Sequence, residues 1–139
     1  MRILLDTCIV IDVLQARSPF NKSAEKIFLG IANEHYEGYI TAKSMTDIYY
    51  ITHRCTHSDK ETRKIISNLM SLFNLLDTTG MDIKKAVLSD ISDYEDAVMA
   101  ETAIRTGMNC IITRNKKDYL KSNIVVYSPE EFLKIVVKG

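Results

Sequence analysis

Arg2-Ile3-Leu4-Leu5-Asp6-Thr7 places three consecutive apolar residues before a carboxylate and a hydroxyl. A short run that is apolar on both alternating faces leaves no side for water. It suits the middle of a parallel sheet covered by helices. Ligands of open α/β sheets collect outside the carboxyl ends of the strands, where Asp6 is expected to stand. Asp6 is therefore the first candidate site residue, subject to what arrives beside it.

Working outward, Thr7 to about Gln15 is predicted as a short helix, closed by the Ser18-Pro19 turn signal. Ala24, Ile27, Phe28, Ile31 and Ala32 recur with a helical period over 21–33. Gly38-Tyr39-Ile40-Thr41 reads as a second strand, followed by a helix over about 42–54 with Met45, Ile48, Tyr49 and Thr52 on one stripe. Ser58 with Glu61 is a capping-box pattern that opens a helix to about Phe73. Leu75 to Thr78 is a third strand, Gly80 a break, and 81–88 a short helix. A further helix starts at Ser92 or Asp93 and stops at Gly107. Cys110 to Thr113 and Ile124 to Tyr127 are the fourth and fifth strands, and Ser128-Pro129-Glu130-Glu131 opens a last helix. Strands alternating with helices predict one α/β domain over 1–139, a mostly parallel sheet of about five strands flanked by helices.

Composition sets the bounds. Apolar residues make up 46% and charged residues 26%, as in ordinary water-soluble domains. Lys plus Arg and Asp plus Glu are 18 each, so a nucleic-acid partner must be held by a local patch rather than by net charge. Cys8, Cys55 and Cys110 form no disulfide framework, which predicts reduced thiols and a cytoplasmic protein. Asp6 and Asp12 interrupt the first apolar run, so no secretory signal or membrane span is expected.

The acids fall in a pattern. Asp6 ends the first strand, Asp47 lies on the helix after the second, and Asp93 and Asp96 begin the helix before the fourth. Asn115 and Asp118 follow Thr113, where the fourth strand stops. A parallel sheet can bring these to one edge. Oxygen donors without nitrogen or sulphur suit a hard cation, Mg²⁺ or Mn²⁺, and a cluster of carboxylates repels itself unless a cation joins it. Asp6, Asp93 and Asp96 also fit simple helix capping and the positive end of a helix dipole. Asp47, in mid-helix, is harder to assign to structure alone, because aspartate is a poor helix former. Asp118 among Lys116, Lys117 and Lys121 also reads as a solvated loop. Asp12 and Asp82 read as surface or cap residues.

Other constellations are thinner. His53, Cys55 and His57 offer an H-x-C-x-H run without a second ligand pair for zinc. The five glycines form no phosphate loop. Tyr49 and Tyr50 suit core packing at helical spacing, with base stacking as the alternative. A phosphotransfer domain using Asp6 as nucleophile would want a second aspartate where Cys8 stands.

The chain resembles the PIN-domain family, and within it the small bacterial VapC-like toxins. The resemblance rests on R-I-L-L-D-T-C at the start, T-D-I-Y-Y-I at 46–51, S-D-Y-E-D-A at 92–97, I-I-T-R-N-K-K-D-Y at 111–119 and S-P-E-E-F-L at 128–133. It implies a metal-dependent ribonuclease that leaves a 5′-phosphate and a 3′-hydroxyl, a partner antitoxin, and a homodimer. By position, Asp6, Asp47 and Asp96 match the first three acidic sites. Asn115 stands where the T-R-D pattern has its fourth acid, as in a T-R-N-x-K-D subgroup, with Asp118 or Asp93 left to supply the charge. Thr7 and Thr113 are expected to hold a carboxylate or a water. Arg114, Lys116 and Lys117 are the nearest RNA-binding candidates. The rival implied by Asn115 is a catalytically weakened PIN fold that binds RNA or protein.

Overall fold

A computed structural model describes residues 1–138. Five parallel strands form one sheet: β1 (Arg2–Leu5), β2 (Glu37–Thr41), β3 (Asn74–Leu76), β4 (Cys110–Ile112) and β5 (Val126–Tyr127). Their order across the sheet is β3-β2-β1-β4-β5, so β1 is central, as its unbroken apolar run requires. Among the described residues seven helices cover the faces: α1 (Thr7–Leu14), α2 (Asn21–Ala32), α3 (Ala42–Thr56), α4 (Asp59–Leu72), α5 (Gly80–Val87), α6 (Tyr94–Arg105) and α7 (Pro129–Lys138).

The pleat of β1 divides the core in two. Ile3 and Leu5 pack with Ile9, Ile27, Ile40, Ile48 and Phe132 on the face covered by α1, α2, α3 and α7. Leu4 turns the other way, towards Met99, Ala103, Ile111 and Tyr119 beneath α6. The Ile3, Leu4 and Leu5 side chains are fully buried, worth roughly 1.5–3 kcal/mol each relative to exposure.

Caps set the element ends. Gly107 adopts φ +72°, and the amides of Met108 and Gly107 close back onto the carbonyls of Ala103 and Ile104. This pair of bonds ends α6 where the sequence predicts a stop. Ser128 and Glu131 exchange the two bonds of the expected capping box at α7. Gly80 differs from expectation. It is not a break but the first residue of α5, because Thr79 and Asp82 form a capping box across it. β5 is shorter than predicted, a two-residue edge strand paired with β4.

Candidate active site

Leu5 of β1 pairs in register with Ile112 of β4, so the next residues, Asp6 and Thr113, emerge together at the carboxyl edge. This is where the strand order reverses, with β2 on one side of β1 and β4 on the other. The Thr113 hydroxyl donates to Asp6 Oδ2 at 2.8 Å, and the Thr7 amide donates to Oδ1 at 2.8 Å. Asp6 thus caps α1 and is locked in one orientation. It is buried, and that burial raises its pKa against the opposing pull of the two donors.

Asp96 arrives from the first turn of α6. Its amide bonds to Asp93 Oδ1 at 3.0 Å, which makes Asp93 the cap of that helix, one of the two starts the sequence allows. Asp96 Oδ1 accepts from the Tyr119 hydroxyl at 3.0 Å. Burial, then the charge of Asp6, then those of Asp93 and Asp118 push the Asp96 carboxyl up to about 7, against the Tyr119 bond. Asn115 precedes a single 3-10 turn over Lys116–Tyr119 and Asp118 lies within it, and in such a turn residues three apart eclipse. Both line the same cleft.

That cleft, about 550 Å³, also takes in Asp47, Asp93, Thr7 and Lys43. The chain therefore brings Asp6, Asp47, Asp93, Asp96, Asn115 and Asp118 to one place. Asp47 is tied to Lys43 at 2.8 Å, and Lys43 reaches Glu95 at 3.3 Å. The Thr7 hydroxyl donates to Ser44 rather than to a carboxylate, at 3.1 Å, and Thr41 donates to the same Ser44 oxygen at 3.0 Å. These bonds tie the start of α1 to the start of α3.

In kind and charge the donors fit a hard divalent cation. Among the described residues, however, no three His, Cys, Asp or Glu side chains are gathered closely enough to hold a metal ion as they stand. An open arrangement suits Mg²⁺, which keeps several waters and takes only one or two carboxylates.

The basic candidates lie elsewhere. Arg114 donates to both oxygens of Asp12, at 2.6 and 3.1 Å, and its guanidinium lies 4.1 Å from the centre of the Phe20 ring. Asp12 is completely buried, which overturns its reading as a surface or cap residue. Lys116 pairs with Glu131 at 2.8 Å, and neither it, Arg114 nor Lys117 lines the cleft. The cations that do are Arg17, Lys43 and Arg54. Tyr119 was visible in the I-I-T-R-N-K-K-D-Y stretch, but only the fold shows its hydroxyl reaching Asp96. Tyr50, expected in the core, is 60% exposed.

A parallel α/β domain with carboxylates gathered at its strand-order reversal defines a class with an acidic, cleft-borne site. A PIN-domain family model matches residues 2–117, and the chain belongs to that family. The solved DNA-bound VapBC of Salmonella typhimurium is similar in fold, with a TM-score of 0.70, 14% identity, and coverage of 93% of this chain and 98% of that one. A toxin–antitoxin complex from Klebsiella pneumoniae matches with a TM-score of 0.65 and 24% identity over 91% of this chain and 97% of that one. VapC20 of Mycobacterium tuberculosis, a toxin that cleaves the sarcin-ricin loop, matches with a TM-score of 0.62 and 13% identity over 78% and 86%. No curated protein matches the chain by sequence.

Proposed function

We propose that this chain is a metal-dependent endoribonuclease, the toxin of a toxin–antitoxin pair, of the T-R-N-x-K-D subgroup. The observation that carries the reading is the gathering of Asp6, Asp47, Asp93, Asp96 and Asp118, from separate elements, in one cleft. Burial first, and then the charge of Asp6, push the Asp96 carboxyl up to about 7. Such an arrangement favours a cation joining them. The VapBC and toxin–antitoxin complexes among the structural neighbours support the toxin role and an antitoxin partner. The reading carries with it a cytoplasmic setting and a homodimer. Among the described residues no helix is long and apolar enough to cross a membrane.

Asp6 and Asp96, with Asp47 and Asp93, would hold Mg²⁺ or Mn²⁺. When bound, the ion lowers the pKa of a coordinated water and offsets charge developing on the phosphodiester oxygens. Thr113 and the Thr7 amide keep Asp6 aimed at the cleft, and Tyr119 does the same for Asp96. Asn115 and Asp118 line the same cleft, one an amide and one an acid. Cleavage is proposed to leave a 5′-phosphate and a 3′-hydroxyl. Asp6→Asn keeps a good helix cap, so the fold should survive while Mg²⁺- or Mn²⁺-dependent RNA cleavage is lost. Cleavage at the parental rate would sink the reading.

Asn115 and the open arrangement of the acids favour one rival, a weakened PIN fold that binds RNA or protein without cutting. Calorimetry discriminates: absence of Mn²⁺ binding near millimolar concentration selects the rival.

A further inference from the structure

We infer that RNA is held by the α1–α3 wall of the cleft, with Arg17 and Arg54 binding the phosphate backbone and Tyr50 stacking a base. This rests on the ribonuclease reading above and names the surface that reading lacks. A cleft lined by aspartates repels a polyanion, and the chain has no excess positive charge overall. Binding therefore needs unneutralised cations beside the acids.

The cations of the loop after β4, Arg114, Lys116, Lys117 and Lys121, do not line the cleft. Arg114 is committed to a carboxylate with no exposure, and separating that pair would strand a buried charge. Lys116 is paired with Glu131, and Lys43 is shared between Asp47 and Glu95. Arg17 and Arg54, by contrast, line the cleft with no carboxylate within ion-pair distance among the described residues. Arg17 gives Nε and one Nη to the neutral Gln15 Oε1, which leaves further N–H groups and the whole charge available. Ala16, at φ +48°, sets the turn that carries the chain from α1 into Arg17. Arg54 sits in the last turn of α3, where the helix dipole favours a cation. The dipole explains its sign but not its place on the cleft face.

Spacing on α3 supplies the track. Lys43, Asp47, Tyr50 and Arg54 follow one another at intervals of four, three and four and all line the cleft. At the α-helical rise they run roughly 16 Å along the wall. Tyr50 is 60% exposed and stands edge-on to Tyr49, with ring centroids 5.1 Å apart. Tyr49 has its hydroxyl on Asp59. An exposed aromatic ring lining the same cleft as two guanidinium groups that have no carboxylate partner among the described residues is the combination that binds a single strand without reading its sequence.

The test uses the full chain carrying Asp6→Asn and a fluorescein-labelled single-stranded 12-mer RNA, with anisotropy read across a KCl series. Arg17→Ala and Arg54→Ala should each weaken binding about tenfold and flatten the log–log salt slope by about 0.7. Tyr50→Ala should weaken binding by a similar factor at unchanged slope. Arg54→Lys should restore most of the slope, which separates charge from fold. Lys116→Ala with Lys117→Ala should leave affinity within twofold. Parental affinity and slope in both arginine variants would overturn the track alone, provided the parent cleaves RNA. Failure of the Asp6→Asn chain to bind RNA at all, in a protein that also cuts none, would overturn the ribonuclease reading with it.

Discussion

The Tyr119 hydroxyl donates to Asp96 Oδ1 at 3.0 Å, joining the turn after β4 to the first turn of α6. Tyr119 is buried, with Met99 Sδ 3.6 Å from the same oxygen, so the hydroxyl has little freedom to turn away. A bond to a charged acceptor is worth about 1.5–3 kcal/mol. Tyr119→Phe keeps the ring in its packing and deletes only this bond. The Asp96 carboxyl should then rise further, and the acid limb of the pH–rate profile should move to higher pH with a severalfold loss of Mn²⁺ affinity. An unmoved profile would reduce Tyr119 to a packing residue.

Proton and metal compete at Asp96. Its folded pKa of about 7 lies above the ordinary aspartate value, because burial and the charges of Asp6, Asp93 and Asp118 disfavour the anion. In the metal-free protein the folded state therefore holds a proton that the unfolded chain has lost, and stability falls as pH rises from about 4 to about 7. Mn²⁺ needs the ionised carboxylate, so below pH 7 its apparent affinity should drop by up to about tenfold per unit, with proton release on binding. Calorimetry in buffers of different ionisation enthalpy measures that release. Its absence at pH 6 would place the metal away from Asp96.

Much of this was legible in the residues, for identifiable reasons. The Ile3-Leu4-Leu5 run could only be central, and Gly107, Ser58 and Ser128 carry local signals that act within one turn. Asp6, Asp47, Asp93 and Asp96 could be placed at one edge because each lies a fixed distance from a strand or helix end. What the sequence hid is long-range pairing. Nothing near Asp12 announces a partner 102 positions away at Arg114. Equally, nothing near Arg114 says that its charge is already neutralised. Tyr50 shares its stretch with buried neighbours, and only the packing of α3 on α4 and α1 turns it outward.

The Asp12–Arg114 pair should act on stability, not on RNA. Asp12 has no exposure, whereas the Arg114 side chain retains 27%. Arg114→Ala leaves a buried carboxylate uncompensated and removes the cover over Phe20, which should cost about 3 kcal/mol. Urea unfolding measures this. Joint replacement by Asp12→Leu and Arg114→Met should recover most of the loss, since no charge is then buried. If Arg114→Ala unfolds like the parent yet binds RNA weakly, the assignment of Arg114 to the scaffold is wrong.

Acid stability should trace to Asp82, which joins α5 to α6. Burial alone would raise its carboxyl. The bidentate Arg105 guanidinium, the Thr79 amide and the Thr102 hydroxyl outweigh burial and hold it at about 2. A folded pKa below the unfolded value of about 4 means the contribution is complete above pH 4 and is lost as pH falls through 2. Arg105 is more than a third exposed, so solvent screening reduces the effect to the order of 1–2 kcal/mol. Asp82→Asn keeps a cap but mimics the protonated acid. Urea midpoints for parent and variant should differ most near pH 5 and converge towards pH 2. A constant gap across that range would show that Asp82 stabilises through shape and capping, with its charge contributing nothing.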